Sequence, residues 1–143
     1  HLQPPIGTPA YRQCRYWMHY AEGSLMNWLV MKLVFVMIPK RPMPFFVRPV
    51  AKALCATVQS KLIDPNVDTA LDFMEDHLAT HHWFAGEHIT MADFQMSFAV
   101  EAALSRAKPG KPRPHLQAYQ QSMQARPAYQ RAIAKGGPVV MSS

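Results

Sequence analysis

Apolar positions along this chain recur at helical spacing, and no stretch alternates in the manner of a half-buried strand. Tyr11, Cys14, Trp17, Ala21, Leu25, Trp28 and Leu33 form one stripe, while Tyr16, Tyr20, Gly23, Met26, Asn27 and Val30 trace a second, more mixed one. Two faces of one helix are therefore in use. Thr8 offers an N-cap oxygen, and Pro9 sits where a missing N–H costs nothing. No proline follows until Pro39, so the helix is predicted from Ala10 to about Met37, roughly 42 Å long at the usual rise.

A proline-rich loop at 39–44 leads into a second helical run, Phe45 to Ile63, with Val50, Leu54, Val58 and Leu62 on one face and Pro49 in its first turn. Asp64-Pro65 repeats the cap-then-proline signal and predicts a new helix, with Val67, Leu71, Met74 and Leu78 inward through about Ala79. On its far edge Asp64, Asp68, Asp72 and Asp76 stand four residues apart, where aligned acids repel unless water or a basic partner meets them; solvent is the expectation. His81 to Ile89 reads as a connector. Thr90 to Ala107 is apolar nearly all round, through Met91, Phe94, Met96, Phe98, Val100 and Leu104, as in a buried central helix. A loop at 108–114, a short helix from His115 to Ala125 bearing Leu116, Tyr119 and Met123, and a last helix from Ala128 to Lys135 ended by Gly136-Gly137 complete an all-α chain.

Length and charge narrow the classes. At 143 residues one core can form without a staple, and Cys14 and Cys55 are read as buried small groups in a reducing, cytoplasmic setting, with no hydrophobic leader at the start. The most apolar stretch, Leu25 to Ile38, is 14 residues against the ~20 a crossing needs, so it reads as a core helix and no membrane partner is expected. The net charge of +6 invites a polyanion, but eight of the 15 basic residues fall in the proline-rich stretches Lys40 to Lys52 and Arg106 to Arg113. The second lacks aromatics for base stacking, so solvated loops and no nucleic-acid partner are expected. His77 and His81, with His82 and His88 nearby, have a zinc-like spacing, but no carboxylate or cysteine completes the set and no metal is expected.

The sharpest local signal is Ile89-Thr90-Met91-Ala92-Asp93-Phe94. With Thr90 as N-cap, Asp93 can return a hydrogen bond to the cap backbone, and Ile89 and Phe94 occupy the positions of a hydrophobic staple; all four act through the fold. The run Trp83-Phe84-Ala85-Gly86-Glu87-His88-Ile89-Thr90-Met91-Ala92-Asp93 resembles the segment that leads into the central helix of the glutathione transferase C-terminal domain. Tyr16 to Met26 is similar to that domain's first helix, particularly in bacterial and fungal members, and Arg126-Pro127-Ala128-Tyr129-Gln130-Arg131-Ala132 to its end.

The resemblance implies a five- to six-helix bundle over 10–136, with 1–9 as a linker or cut end from a thioredoxin-like domain and 137–143 as a tail. It implies that Tyr16, Tyr20, Gly23, Met26, Asn27 and Val30 line the pocket for a hydrophobic electrophile, which suits aromatics and adaptable methionine. Ser24 and Asn27 are the candidates for a glutathione contact. In the family the catalytic Ser, Tyr or Cys, the cis-proline loop and the acid-Ser pair belong to the other domain, so no catalytic residue is assigned here. The implied partners are glutathione, as co-substrate, a hydrophobic electrophile and a second copy of the chain; no cofactor is implied. The alternative is a non-catalytic interaction module, a role that helical domains of this kind also fill.

Overall fold

The computed structural model describes residues 2–106 and 111–137; the expected helix end at Ala107, residues 108–110 of the expected 108–114 loop and residues 138–143 of the expected 137–143 tail lie outside them. Five helices and no strand occur among the described residues. Helix α1 spans Pro9–Lys40 without a break. Helix α2 spans 48–78, α3 is Met91–Arg106, α4 is Pro114–Gln124 and α5 is Pro127–Gly136. The all-α class and the long first helix follow the sequence reading.

Helix α1 opens as its sequence dictates, with the Thr8 hydroxyl accepting from the Tyr11 N–H at 3.2 Å and Pro9 in the first turn. It differs in its middle, where Ala21–Leu25 form a π turn. Four-residue steps drift on an ordinary 3.6-residue helix, and a wider turn cancels the drift. The inward stripe is therefore Cys14, Trp17, Ala21, Leu25 and Leu29, whereas the expected Leu33 is exposed. By length and composition the whole of α1 could cross a membrane, which its 14-residue apolar run alone does not suggest, yet this inward stripe packs in the bundle core.

The break expected at Asp64 is absent. Arg48–Val58 pass through a π turn at Gln59–Ile63 straight into Asp64–Leu78, and Ile63 and Asp64 both keep helical backbone angles. Pro65 removes one N–H and crowds the carbonyl four residues back, and the widened turn absorbs this. The Asn66 amide donates to the Leu62 carbonyl at 2.7 Å, covering a neighbouring acceptor. The stripe read from Val50, Leu54 and Leu62 is exposed; Cys55 and Ile63 point inward instead.

Asp64 is thus not a cap but a buried acid, paired with Lys32 of α1 at 2.8 Å. Its successors are not simply solvated either. Arg113, which is 3% exposed, bridges Asp68 at 3.2 Å and Asp72 at 3.1 Å, and Lys111 reaches Asp72 at 2.5 Å. The hydrogen bond from Lys111, followed by that from Arg113, holds the Asp72 carboxyl below its ordinary range. One turn on, the Glu75 carboxylate accepts the N–H groups of His115 and Leu116, capping α4 from another helix. Only Asp76 is an exposed member of the row. Part of the second basic stretch is therefore a clamp and not a solvated loop.

Helix α3 runs through the middle, but only on one side is it enclosed. Ala92, Asp93, Met96, Ala99, Val100, Ala102 and Ala103 are buried, and the small residues allow close approach, while Met91, Phe94 and Phe98 form an outward flank. Asp93 has no exposed surface. Its Oδ1 accepts from the Phe84 N–H at 2.9 Å, and its Oδ2 from the Thr90 N–H at 2.7 Å and the Thr90 hydroxyl at 3.1 Å. Burial pushes its pKa up, and these hydrogen bonds oppose the rise. Ile89 is partly buried against the core and Phe94 is exposed. Residues 83–86 close a tight turn, with Gly86 at φ +129°, a conformation side chains disfavour. The Met91 N–H is taken by the Leu2 carbonyl at 2.9 Å, which seats the leading segment on the start of α3.

Two outcomes follow for stability. Asp93→Asn must turn an amide donor toward the N–H of either Phe84 or Thr90, so it should cost about 1–3 kcal/mol in chemical denaturation although the shape is kept. The His77 Nε2 lies 3.0 Å from the Phe84 carbonyl, and burial lowers its pKa from 6.5, with His81 lowering it further against that bond. The unfolded chain then holds this proton more readily than the folded one, so the His77 contribution is present above pH 6.5 and is lost as pH falls toward the depressed folded value. Denaturation series between neutral and mildly acid pH should show a shallower loss for His77→Gln than for the parent; equal slopes would remove His77 as the cause.

Candidate functional site

The expected pocket stripe lies on the outer side of α1. Tyr16 and Tyr20 stack with ring centroids 6.0 Å apart, and Tyr20 stands 5.6 Å from Phe73 of α2. Trp17, one position round toward the core, stacks on Phe73 at 5.4 Å and contacts His77 at 4.6 Å. Arg12, Gln13, Tyr16, Trp17, Phe73 and His77 line an open groove of about 440 Å³. The Trp17 indole N–H in this wall is buried with no acceptor among the described residues. Burial of Tyr20, and then its neighbour Tyr16, raises the Tyr20 pKa, so this phenol remains a protonated donor and is unsuited to act as a base.

Beyond Tyr20 the stripe stays open. Gly23, Asn27 and Val30 are exposed, and a Cβ on Gly23 would meet nothing within 4 Å. Met26 departs from the expected grouping, being partly buried against the core. The Asn27 amide donates to the Gly23 carbonyl at 2.7 Å, so it is engaged within its own helix. Ser24 lies exposed on the π turn. Neither is brought near Tyr16 by a described contact. The groove instead recruits Arg12, Gln13, Phe73 and His77, which the stripe omits; an aromatic at 73, off the inward row of α2, is the signal for it.

Other cavities lie elsewhere. One of about 430 Å³ sits between the leading segment and the 85–90 turn, lined by Pro4, Pro5, Ala85, His88 and Thr90 among others, and one of about 220 Å³ includes Cys14, Met18 and Met91. The histidines do not assemble a metal centre: no group of three or more His, Cys, Asp or Glu side chains suited to a metal occurs among the described residues. His77 and His81 stack at 4.3 Å, and His81 Nδ1 turns to the His77 carbonyl.

The fold matches 99% of the chain to 59% of a glutathione S-transferase crystal structure from Actinobacillus pleuropneumoniae, with a TM-score of 0.63 at 21% identity. In sequence the chain is 31% identical over 119 residues to glutathione S-transferase 3 of Schizosaccharomyces pombe, covering 83% of this chain and 49% of that protein. It is 39% identical over 69 residues to glutathione S-transferase 3 of Zea mays, covering 45% of this chain and 30% of that protein. The chain spans about half the length of the first of these relatives, or less of the second. Residues 27–127 match the family described as glutathione S-transferase, C-terminal domain, and to that family this chain belongs.

Proposed function

We propose that this chain forms the wall of a pocket for a hydrophobic electrophile in a protein that conjugates glutathione. The observation that carries the reading is the aromatic face of Tyr16, Tyr20 and Phe73 beside an open groove, continued outward along α1. Aromatic surface holds apolar electrophiles by area and ring geometry, with little demand for directional bonds. In the reaction the glutathione sulfur forms a bond to the electrophilic carbon as a leaving group departs or a π bond is displaced. The group that holds the thiol as thiolate is assigned to the accompanying glutathione-binding domain, and none is assigned in this chain. A second copy of the chain completes the partners in this reading.

The decisive measurement uses the full-length protein with glutathione and chlorodinitrobenzene. A glutathione-dependent rate is expected, and its absence would favour the non-catalytic interaction module. Tyr16→Ala and Tyr20→Ala should each raise KM for the electrophile about 3- to 10-fold, the range of one aromatic contact, and leave KM for glutathione within about twofold. Equal rises in both KM values would remove α1 as the electrophile wall.

A further inference from the structure

The charge of this protein is segregated along the chain. Between Ser24 and Ile63 there is no Asp or Glu, and six basic residues occur: Lys32, Lys40, Arg41, Arg48, Lys52 and Lys61. That single stretch equals the whole net charge of +6. Lys32 is engaged with Asp64, whereas Lys40, Arg41, Arg48 and Lys52 are exposed and pair with no described acid. These four lie at the end of the α1–α2 hairpin.

The same hairpin end carries apolar side chains in water. Phe45 is 87% exposed and Phe46 67%, in edge-to-face contact at 5.7 Å, and Met37, Ile38, Val47 and Val50 are exposed around them. Of the most apolar 18-residue window of α1, only 17% lies buried. The tip is built: the Arg41 backbone N–H donates to the Ile38 carbonyl and the Val47 backbone N–H to the Pro44 carbonyl, and Pro39, Pro42, Pro44 and Pro49 restrict the backbone. Scattered exposed hydrophobes need no explanation, but a contiguous set ringed by one sign of charge does.

We propose that the 37–52 hairpin tip docks on an anionic lipid bilayer, with Phe45 and Phe46 in the interfacial layer and Lys40, Arg41, Arg48 and Lys52 against the headgroups. Aromatic side chains favour that layer, and basic residues close to an anionic leaflet add attraction that salt screens. A second copy is a poor occupant, since a two-fold contact would set the same cationic patch against itself. An apolar projection with a basic rim suits a deformable plane better than a rigid groove. This is peripheral contact rather than a crossing, because the other face of α1 is committed to the core through Trp17, Leu25 and Leu29. It departs from the expectation of no membrane partner, and it rests on nothing in the conjugation reading.

The test is co-sedimentation of the full chain with vesicles of phosphatidylcholine alone and of phosphatidylcholine carrying about 30% phosphatidylserine. Binding is expected to the anionic vesicles only, weakening as salt rises. Phe45→Ser with Phe46→Ser should lower the partition constant about tenfold or more, and Arg41→Glu about fivefold or more. Both variants should keep the parent's thermal midpoint, since these side chains are exposed; the Arg41 variant decides the matter if the Phe pair proves insoluble. The proposal is overturned if neither vesicle captures the protein, or if the substitutions leave capture unchanged. It is equally overturned if sedimentation velocity finds a dimer that the Phe substitutions dissolve while lipid does not bind.

Discussion

The buried carboxylate of Asp93 is the constraint that sets the rest of the bundle. A charge-bearing group without exposure is tolerable only if its acceptor sites are filled, and both oxygens are, by Phe84 and by Thr90. Those bonds fix the 83–90 turn on the first turn of α3. The Tyr119 hydroxyl, donating to the Asp93 carbonyl at 2.9 Å, adds α4 to the same point. Phe84 in turn stands 4.7 Å from Trp17, so placing the turn places α1. The outward stripe with Tyr16 and Tyr20 is oriented by a residue that never touches it.

A second set of polar contacts closes the bundle where the apolar core thins out. Four aspartates in line on one helix edge would destabilise an isolated helix. Here Asp64 is the seat for Lys32 from one side, and Asp68 and Asp72 are the seat for Arg113 and Lys111 from the other, while Glu75 caps α4. Arg113 suits this place because a planar fork can serve two carboxylates at once, which a lysine ammonium does less well. Exposed pairs contribute little, but Arg113 and Asp64 are buried, so removing a partner leaves a charge that water cannot reach.

The residues most legible in the sequence were those whose role is local. Thr8 and Pro9 start a helix, Gly137 ends one at φ +77°, and both functions are carried within a few residues. The family resemblance in 83–93 was legible for the same reason, being one contiguous turn and cap. What escaped depended on distant partners. Asp64-Pro65 carries a helix-start signal, yet a π turn lets the helix continue and Lys32, 32 residues away, claims the acid. The apolar row at Val50, Leu54 and Leu62 has correct helical spacing but no helix opposite to bury it. On α1 the π turn shifted the inward phase, so Leu29 replaced Leu33. Of the candidate site, Tyr16 and Tyr20 were legible as an outward stripe, while Phe73 and His77 enter only because α2 folds against it.

These two polar systems also determine what the protein shows to its surroundings. Of the nine acidic residues, Glu22, Asp64, Asp68, Asp72, Glu75, Asp93 and Glu101 are engaged with Gln95, Lys32, Arg113, Lys111, the α4 N-terminus, the 83–90 turn and Tyr129. Acids are thus spent on assembling the bundle. Lys40, Arg41, Arg48 and Lys52 at the hairpin tip have no such described employment, so positive charge is displayed there beside the phenylalanines that the core does not take. The aromatic wall of α1 lies nearer the opposite end of the same helix, about 21 residues and some 30 Å from Arg41 to Tyr20 at the helical rise. One helix, phased by a single π turn, therefore carries an aromatic face beside a groove toward one end and a cationic, apolar tip at the other, with its core stripe on the remaining face.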